Sequence, residues 1–323
     1  MRQAMANAEV GDEQRGLDPT VNALQERVAE LLGHEAGLFL PSGSMCNQIA
    51  VRIHIRPLGD ELYAHRSSHP ITAEAGGAAA IAGAMICGLE GDGGIFSAAA
   101  LEAAMRDPDD RHQPRSRLVS VEQTTNFGGG RVWTRVQIDE VLAVAERHSL
   151  RTHLDGARLL NATAASGERA AAFAAGFDTA WIDFSKGLGA PIGACLVGSR
   201  ELIDEAWRYK QMFGGAMRQA GIVAAGALWA LDHNVERLAE DHANARALAE
   251  GLAAIDGVTV DPATVETNIV FFDVAAAADL ISALADDGVE MSEIDGRVRA
   301  VTHLDVDRAA VERALEAVAS NLR

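Results

Sequence analysis

Lys186 and Lys210 are the only two lysines in the sequence, and every other cationic side chain is arginine or histidine. Lys186 follows the β-like run Trp181-Ile182-Asp183-Phe184-Ser185 and opens the turn Gly187-Leu188-Gly189-Ala190-Pro191-Ile192-Gly193. This order delivers an amine to the end of a buried strand. Desolvation there lowers an amine's pKa and makes it a nucleophile toward carbonyls. Schiff-base chemistry therefore has two candidate amines.

Acids and hydroxyls recur at similar positions. Residues 150–155 read as a strand ending in Asp155, ahead of Gly156-Ala157-Arg158. Residues 118–121 read as another, ending in Glu122, Gln123, Thr124, Thr125 and Asn126. Residues 37–40 read as a strand leading through Pro41-Ser42-Gly43-Ser44 to a helix over 45–55. A strand, a hydroxyl-and-glycine turn and a helix N-terminus present N–H groups and hydroxyls to a phosphate. His65 and His69 are four apart, but Pro70 disfavours a shared helical face, so metal ligation is not the reading. A histidine on a loop over a cofactor offers a flat ring that stacks and shuttles protons, and His69 is placed for that.

The elements that must position these residues alternate. A helix over Pro19–Leu32 is expected, with Asp18 as cap, Pro19 in its first turn and Gly33 as stop. Further helices are expected over 95–105, 136–148, 202–212 and, as one long region, 220–255. Strands at 117–121, 151–154 and 180–184 separated by helical stretches are βαβ alternation, which builds a parallel sheet. Ligands bind beyond the carboxyl ends of such strands, so Asp155, Lys186, residues 124–126 and the 42–44 turn converge on one rim. From about residue 234 a second series begins: strands at 258–260, 267–272 and 297–302, helices at 276–285 and 307–322. The fold class is α/β, with a mostly parallel large domain over 1–233 and a small C-terminal α/β domain over 234–323.

Composition bounds the partners. A net charge of −18 argues against nucleic acid, whose phosphates repel such a surface. Cys46, Cys87 and Cys195 share no CxxC spacing and read as reduced thiols. The first residues lack a signal peptide's apolar core, and no run approaches the ~18 apolar residues of a membrane span. A soluble, cytoplasmic chain with no membrane partner is the expectation.

An amine and an acid on neighbouring strand ends, with a phosphate cradle, suit pyridoxal 5'-phosphate. The rival reading takes residues 187–193 as a dinucleotide-binding glycine loop. Three residues separate its last two glycines, and Pro191 and the β-like 194–197 stand where a helix should run.

The segments GLDPTVNALQERVAELLG, LFLPSGSMCN, SSHPITAEAGG, HLDGARLLNA, FSKGLGAPIGACLVGS, QMFGGAMRQAG and VRAVTHLDV resemble those of the low-specificity L-threonine aldolases. These pyridoxal-phosphate enzymes of the beta-eliminating lyase family have the aspartate-aminotransferase fold, fold type I. The matches keep their order over nearly the whole chain. The resemblance implies that Lys186 forms the Schiff base with the cofactor and that Asp155 meets its pyridine nitrogen. It places Arg158 beside the 3-hydroxyl, Ser42, Gly43 and Ser44 at the phosphate, and Ser185 in contact with the cofactor. His69 would stack on the ring, and Arg299 would grip the substrate carboxylate. Lys210 and Arg218 match positions near the active site, donated by a second subunit of a homodimer or homotetramer with shared sites.

The implied reaction splits L-threonine, L-allo-threonine or a related β-hydroxy-α-amino acid into glycine and an aldehyde. Thr125 stands where many members have a histidine that handles the β-hydroxyl. A threonine hydroxyl cannot act as a base near neutral pH, so either His69 acts through a water or the substrate differs. Residues 127–130 are an insertion beside it. Arg15 replaces a frequent tyrosine, and about a dozen residues that relatives carry ahead of the position of Met1 have no counterpart. Elimination, dehydration or racemisation of a β-hydroxy amino acid, or a catalytically weak homologue, are the alternatives.

Overall fold

The computed structural model describes residues 1–322. Its main sheet contains β1 (Ala36–Leu40), β2 (Glu61–His65), β3 (Met85–Leu89), β4 (Ser116–Glu122), β5 (Arg151–Gly156), β6 (Thr179–Asp183) and β7 (Ala194–Gly198), in the spatial order β1-β7-β6-β5-β4-β2-β3. The pairs β3–β2–β4–β5–β6 are parallel, and β7 alone runs against both its neighbours. Every residue of β2, β6 and β7 is buried. Strands apolar on both faces need cover on both sides. One face packs under helices Pro19–Leu32 and Gly221–His233, the other under Gly43–His54 and Arg200–Met212.

The helix over Pro19–Leu32 has the expected punctuation. Asp18 Oδ1 accepts from the N–H groups of Thr20 and Val21, Pro19 occupies the first turn, and Gly33 closes the helix at φ 72°. Asp18 does more than cap. Its Oδ2 accepts from Gly11 N at 3.1 Å and Gly221 N at 2.8 Å, tying the N-terminal segment and helix Gly221–His233 to one fully buried carboxylate.

A second unit is built on the antiparallel strands β8 (Ile269–Phe272), β9 (Ser292–Ile294) and β10 (Arg297–Val301), in the order β8-β10-β9. Helices Leu238–Leu252, Ala277–Asp286 and Arg308–Asn321 pack on it around Val270, Phe272, Leu284, Val298 and Val318. Leu238 itself belongs to the first core, so this helix begins in one unit and continues in the other. Among the described residues no helix is long and apolar enough to cross a membrane.

Several elements differ from the expectation. The region 220–255 is two helices, broken between His233 and Leu238. Residues 95–105 begin as a two-residue strand, Ile95–Phe96, and turn helical at Ala98–Ala104 after the Ser97 cap. Residues 258–260 contribute only the bridge Thr259–Asp273. The strands β2, β3 and β9 were not expected. Pro70 does not prevent a helical turn over His69–Thr72, because a proline in the first turn gives up no intrahelical bond.

Asp18→Ala removes four backbone partners of one buried carboxylate, and we expect it to destabilise the fold by about 2–4 kcal/mol. Urea denaturation measures this. A midpoint equal to wild type would contradict the joint role of cap and tether.

Candidate active site

A cavity of about 520 Å3 opens beyond the carboxyl ends of β4, β5 and β6. Cross-strand register sets its floor, for Glu122 pairs with Asp155 and Asp155 with Trp181. Lys186 lies three residues beyond β6, on the loop that reverses the chain into β7. Bonds from Ala190 N to Phe184 O and from Phe184 N to Gly193 O close this loop. A Cβ on Gly193, at φ 108°, would lie 2.4 Å from the Phe39 ring, so the reversal needs glycine. The strand is buried as expected, but the lysine side chain is 32% exposed. Its Nζ lies 3.1 Å from Asp183 Oδ2 and 5.6 Å from the centre of the Trp181 ring. Asp183 is held in turn by the Ser185 hydroxyl, 2.6 Å from Oδ1.

Asp155 is 1% exposed. Its Oδ2 accepts from Asn47 Nδ2 at 2.7 Å and its Oδ1 from Ala157 N at 3.1 Å. Burial raises its pKa, while the Asn47 bond and the Lys186 charge oppose the shift. Among the described residues no guanidinium or ammonium donates to it, so the carboxylate suits a cationic ring nitrogen delivered with a ligand. His69 Nδ1 lies 2.8 Å from Glu74 Oε1, and this bond raises the imidazole above its ordinary value against the opposing effect of burial.

Two guanidiniums share one neutral partner on the opposite wall. Arg158 Nη1 and Arg299 Nη2 both donate to Asn126 Oδ1, at 3.1 and 2.7 Å. Arg299 Nε is buried without a partner, as is the Thr124 hydroxyl. Burial and the Arg158 charge push Arg299 down to about 10. Two cations with no carboxylate between them form an anion site.

The helix Gly43–His54 aims its N-terminus at the same cavity. The Ser42 hydroxyl caps it by accepting from Met45 N at 3.3 Å, leaving the first-turn N–H groups of Gly43 and Ser44 to an outside anion. A Cβ on Gly43 would lie 2.2 Å from the Trp181 indole, so only glycine lets the helix approach this closely. The donor set therefore fits pyridoxal phosphate: a helix N-terminus for phosphate, an acid for the ring nitrogen and an amine for the aldehyde.

Lys186, Asp155, His69, Ser42, Gly43, Ser44, Arg158, Ser185 and Arg299 all line this cavity. Thr125 does not. Its hydroxyl donates to Gly93 O at 2.8 Å and accepts from Arg131 N, so Thr124 and Asn126 face the cavity instead. Lys210 is buried elsewhere, its Nζ 2.9 Å from Glu13 Oε2. Arg218 lies beside Asp12 on the surface. Glu122 and Asn47 carry roles that sequence reasoning did not give them. A second hollow, of about 540 Å3, lies at the opposite ends of the strands, where Arg151 and Asp178 neutralise each other at 3.0 Å.

Comparison with known proteins gives the same picture. Residues 1–276 match the model of the beta-eliminating lyase family. The low-specificity L-threonine aldolase 1 of Arabidopsis thaliana is 37% identical, over 98% of this chain and 90% of that protein. The low specificity L-threonine aldolase of Escherichia coli K12 is 39% identical, over 95% and 91%. Among solved structures, the Leishmania major threonine aldolase superposes with a TM-score of 0.83 at 22% identity, covering 98% of this chain and 93% of that one, and shares the fold.

Glu122 generates a prediction. Its Oε2 accepts from His69 N at 2.7 Å and its Oε1 from Asn126 N at 2.6 Å. Burial, with the Asp155 charge adding to it, pushes its pKa from 4.5 up to about 7. Between those values the folded chain keeps a proton that the unfolded chain has lost, so stability falls as pH rises through that window. Glu122→Gln lacks this slope. It should be the less stable protein near pH 5, where its amide hydrogens meet one backbone N–H, and the gap should close by about 1–3 kcal/mol towards pH 8. Urea denaturation across pH checks this, and a gap independent of pH would contradict it.

Proposed function

The chain belongs to the beta-eliminating lyase family, and from that premise we propose that it is a pyridoxal-phosphate aldolase of the threonine type. It cleaves L-threonine, L-allo-threonine or a related β-hydroxy-α-amino acid to glycine and an aldehyde. The observation that carries this reading is one cavity holding a strand-end amine, a buried acid and two guanidiniums without a carboxylate.

When bound, the cofactor supplies an electron-withdrawing ring that accepts the electron pair left at the substrate Cα. Lys186 is the amine that joins its aldehyde. Asp155 holds a proton on the pyridine nitrogen, and the N–H groups of Gly43 and Ser44 hold the phosphate. Arg299 would exchange the neutral Asn126 oxygen for the substrate carboxylate and so orient the substrate, while Arg158, on the same Asn126 oxygen, would lie beside the cofactor's 3-hydroxyl. The Thr125 hydroxyl is already committed to Gly93 and Arg131. His69, its Nδ1 held by Glu74, has Nε2 left to take the β-hydroxyl proton, directly or through a water.

We read the assembly as a homodimer or homotetramer in the cytoplasm. The exposed Met212, Arg218 and Ile222 support a subunit contact beside the N-terminal segment.

L-Threonine should yield glycine and acetaldehyde, and Lys186→Ala should lower turnover roughly a thousandfold or more, the scale of losing a covalent nucleophile. Oxo acid and ammonia without glycine would overturn the retro-aldol reading in favour of elimination. His69 acts as a base only when neutral. The rate kcat/KM should therefore rise as pH passes His69's elevated pKa, and Glu74→Gln should move that limb to lower pH. A limb that stays in place would remove His69 from the role.

A further inference from the structure

Beneath the cavity floor one amide makes four hydrogen bonds. Asn47, fully buried on helix Gly43–His54, donates from Nδ2 to Asp155 Oδ2 and to Glu74 Oε1, both at 2.7 Å. Its Oδ1 accepts from Trp181 Nε1 at 2.8 Å and lies 3.1 Å from His153 Nε2. An indole N–H can only donate, which fixes which end of the amide is oxygen. His153 Nε2 therefore carries its hydrogen. His153 Nδ1 accepts from the Thr179 hydroxyl at 2.8 Å, which accepts in turn from His54 Nε2 at 2.9 Å. Burial pushes both histidines down to about 3, so each stays neutral in a single tautomer. The bonds run in one direction, and the amide donors end on Asp155 and Glu74.

Glu74 Oε1 receives both Asn47 Nδ2 and His69 Nδ1. One NH2 group thus joins the acid at the end of β5 to the carboxylate behind the imidazole. Lys186, Asp183, Arg158 and Glu122 are the charged groups at or just beyond the adjoining strand ends, with Lys186 paired to Asp183 at 3.1 Å, and Glu122 also holds the His69 backbone.

We propose that Asn47 is a positioning residue that couples the two carboxylates. By donating to both, it presents Asp155 in one orientation to the cofactor and limits the negative charge that Glu74 offers His69. The acid and the base of the site are then set together, by a side chain on neither of their elements. This rests on the reading that Asp155 and His69 serve a bound pyridoxal phosphate.

Asn47→Ala and Asn47→Asp test the coupling, with Thr179→Val as a control that breaks the histidine end of the chain and keeps both amide donors. NMR titration of 15N-histidine-labelled protein without cofactor reads His69. Equilibrium dialysis reads pyridoxal phosphate affinity. Both Asn47 variants should raise the His69 midpoint by at least about half a pH unit and weaken cofactor binding about tenfold or more. Thr179→Val should lower the melting temperature and leave both readouts in place. In a Glu74→Gln background the Asn47 substitution should no longer move His69. If a variant does not fold, Asn47→Ser carries the same expectations. Variants that only lower the melting temperature, or an equal shift in Thr179→Val, would overturn the proposal. An unmoved His69 with intact aldolase activity sinks the coupling alone. A moved His69 in a protein whose Lys186 forms no imine sinks the aldolase reading alone.

Discussion

The burial of the Asp155 carboxylate is the constraint on which the rest of the site depends. A carboxylate 1% exposed in the middle of a parallel sheet cannot stay charged without compensation. The compensation comes from elements far apart in sequence: Asn47 from a helix on one face, Ala157 N from the following loop, and the charge of Lys186 beyond the next strand. Each partner is fixed by something else. Trp181 holds the Asn47 oxygen, and the same indole sets how close Gly43 and the helix N-terminus can come. The acid, the turn at residues 42–44 and the lysine are therefore parts of one packed arrangement.

Charge is distributed unevenly around that arrangement. Asp155, Glu74 and Glu122 lie on one side, with backbone N–H groups and one amide as their main donors. Arg158 and Arg299 lie on the other, sharing the neutral oxygen of Asn126. Neither group neutralises the other directly. A ligand with a cationic ring nitrogen at one end and a carboxylate at the other satisfies both, as a pyridoxal-bound amino acid does. Arg299 comes from β10 of the second unit, so this wall of the cavity includes a residue more than a hundred positions after Lys186.

Much of this was legible in the sequence, for physical reasons that can be named. Two lysines left little choice of amine, and strand-end positions marked Asp155 and Lys186. The helix over Pro19–Leu32 was readable to the residue because its cap, proline and terminal glycine all agree. Thr125 was assigned to the cavity by its place beyond a strand end and by the family resemblance, but its hydroxyl is turned to Gly93, and Thr124 faces inward. The chain bends just beyond β4, so strand alternation does not say which of the two hydroxyls points inward. Asn47 sits in a helix beside Cys46, Ala50 and Val51, all buried. A polar side chain on an otherwise apolar face is a signal that sequence reading can use, since a buried amide must find partners. The partner of Asn47 at Glu74, 27 residues away, was invisible without the fold.

The central claim is that Lys186 carries the cofactor. Borohydride reduction of the protein loaded with pyridoxal phosphate, followed by peptide mapping, tests it most directly. The account predicts that the reduced cofactor's mass is found on the peptide containing Lys186. Recovery of that mass on Lys210 alone, or on neither lysine, would contradict it.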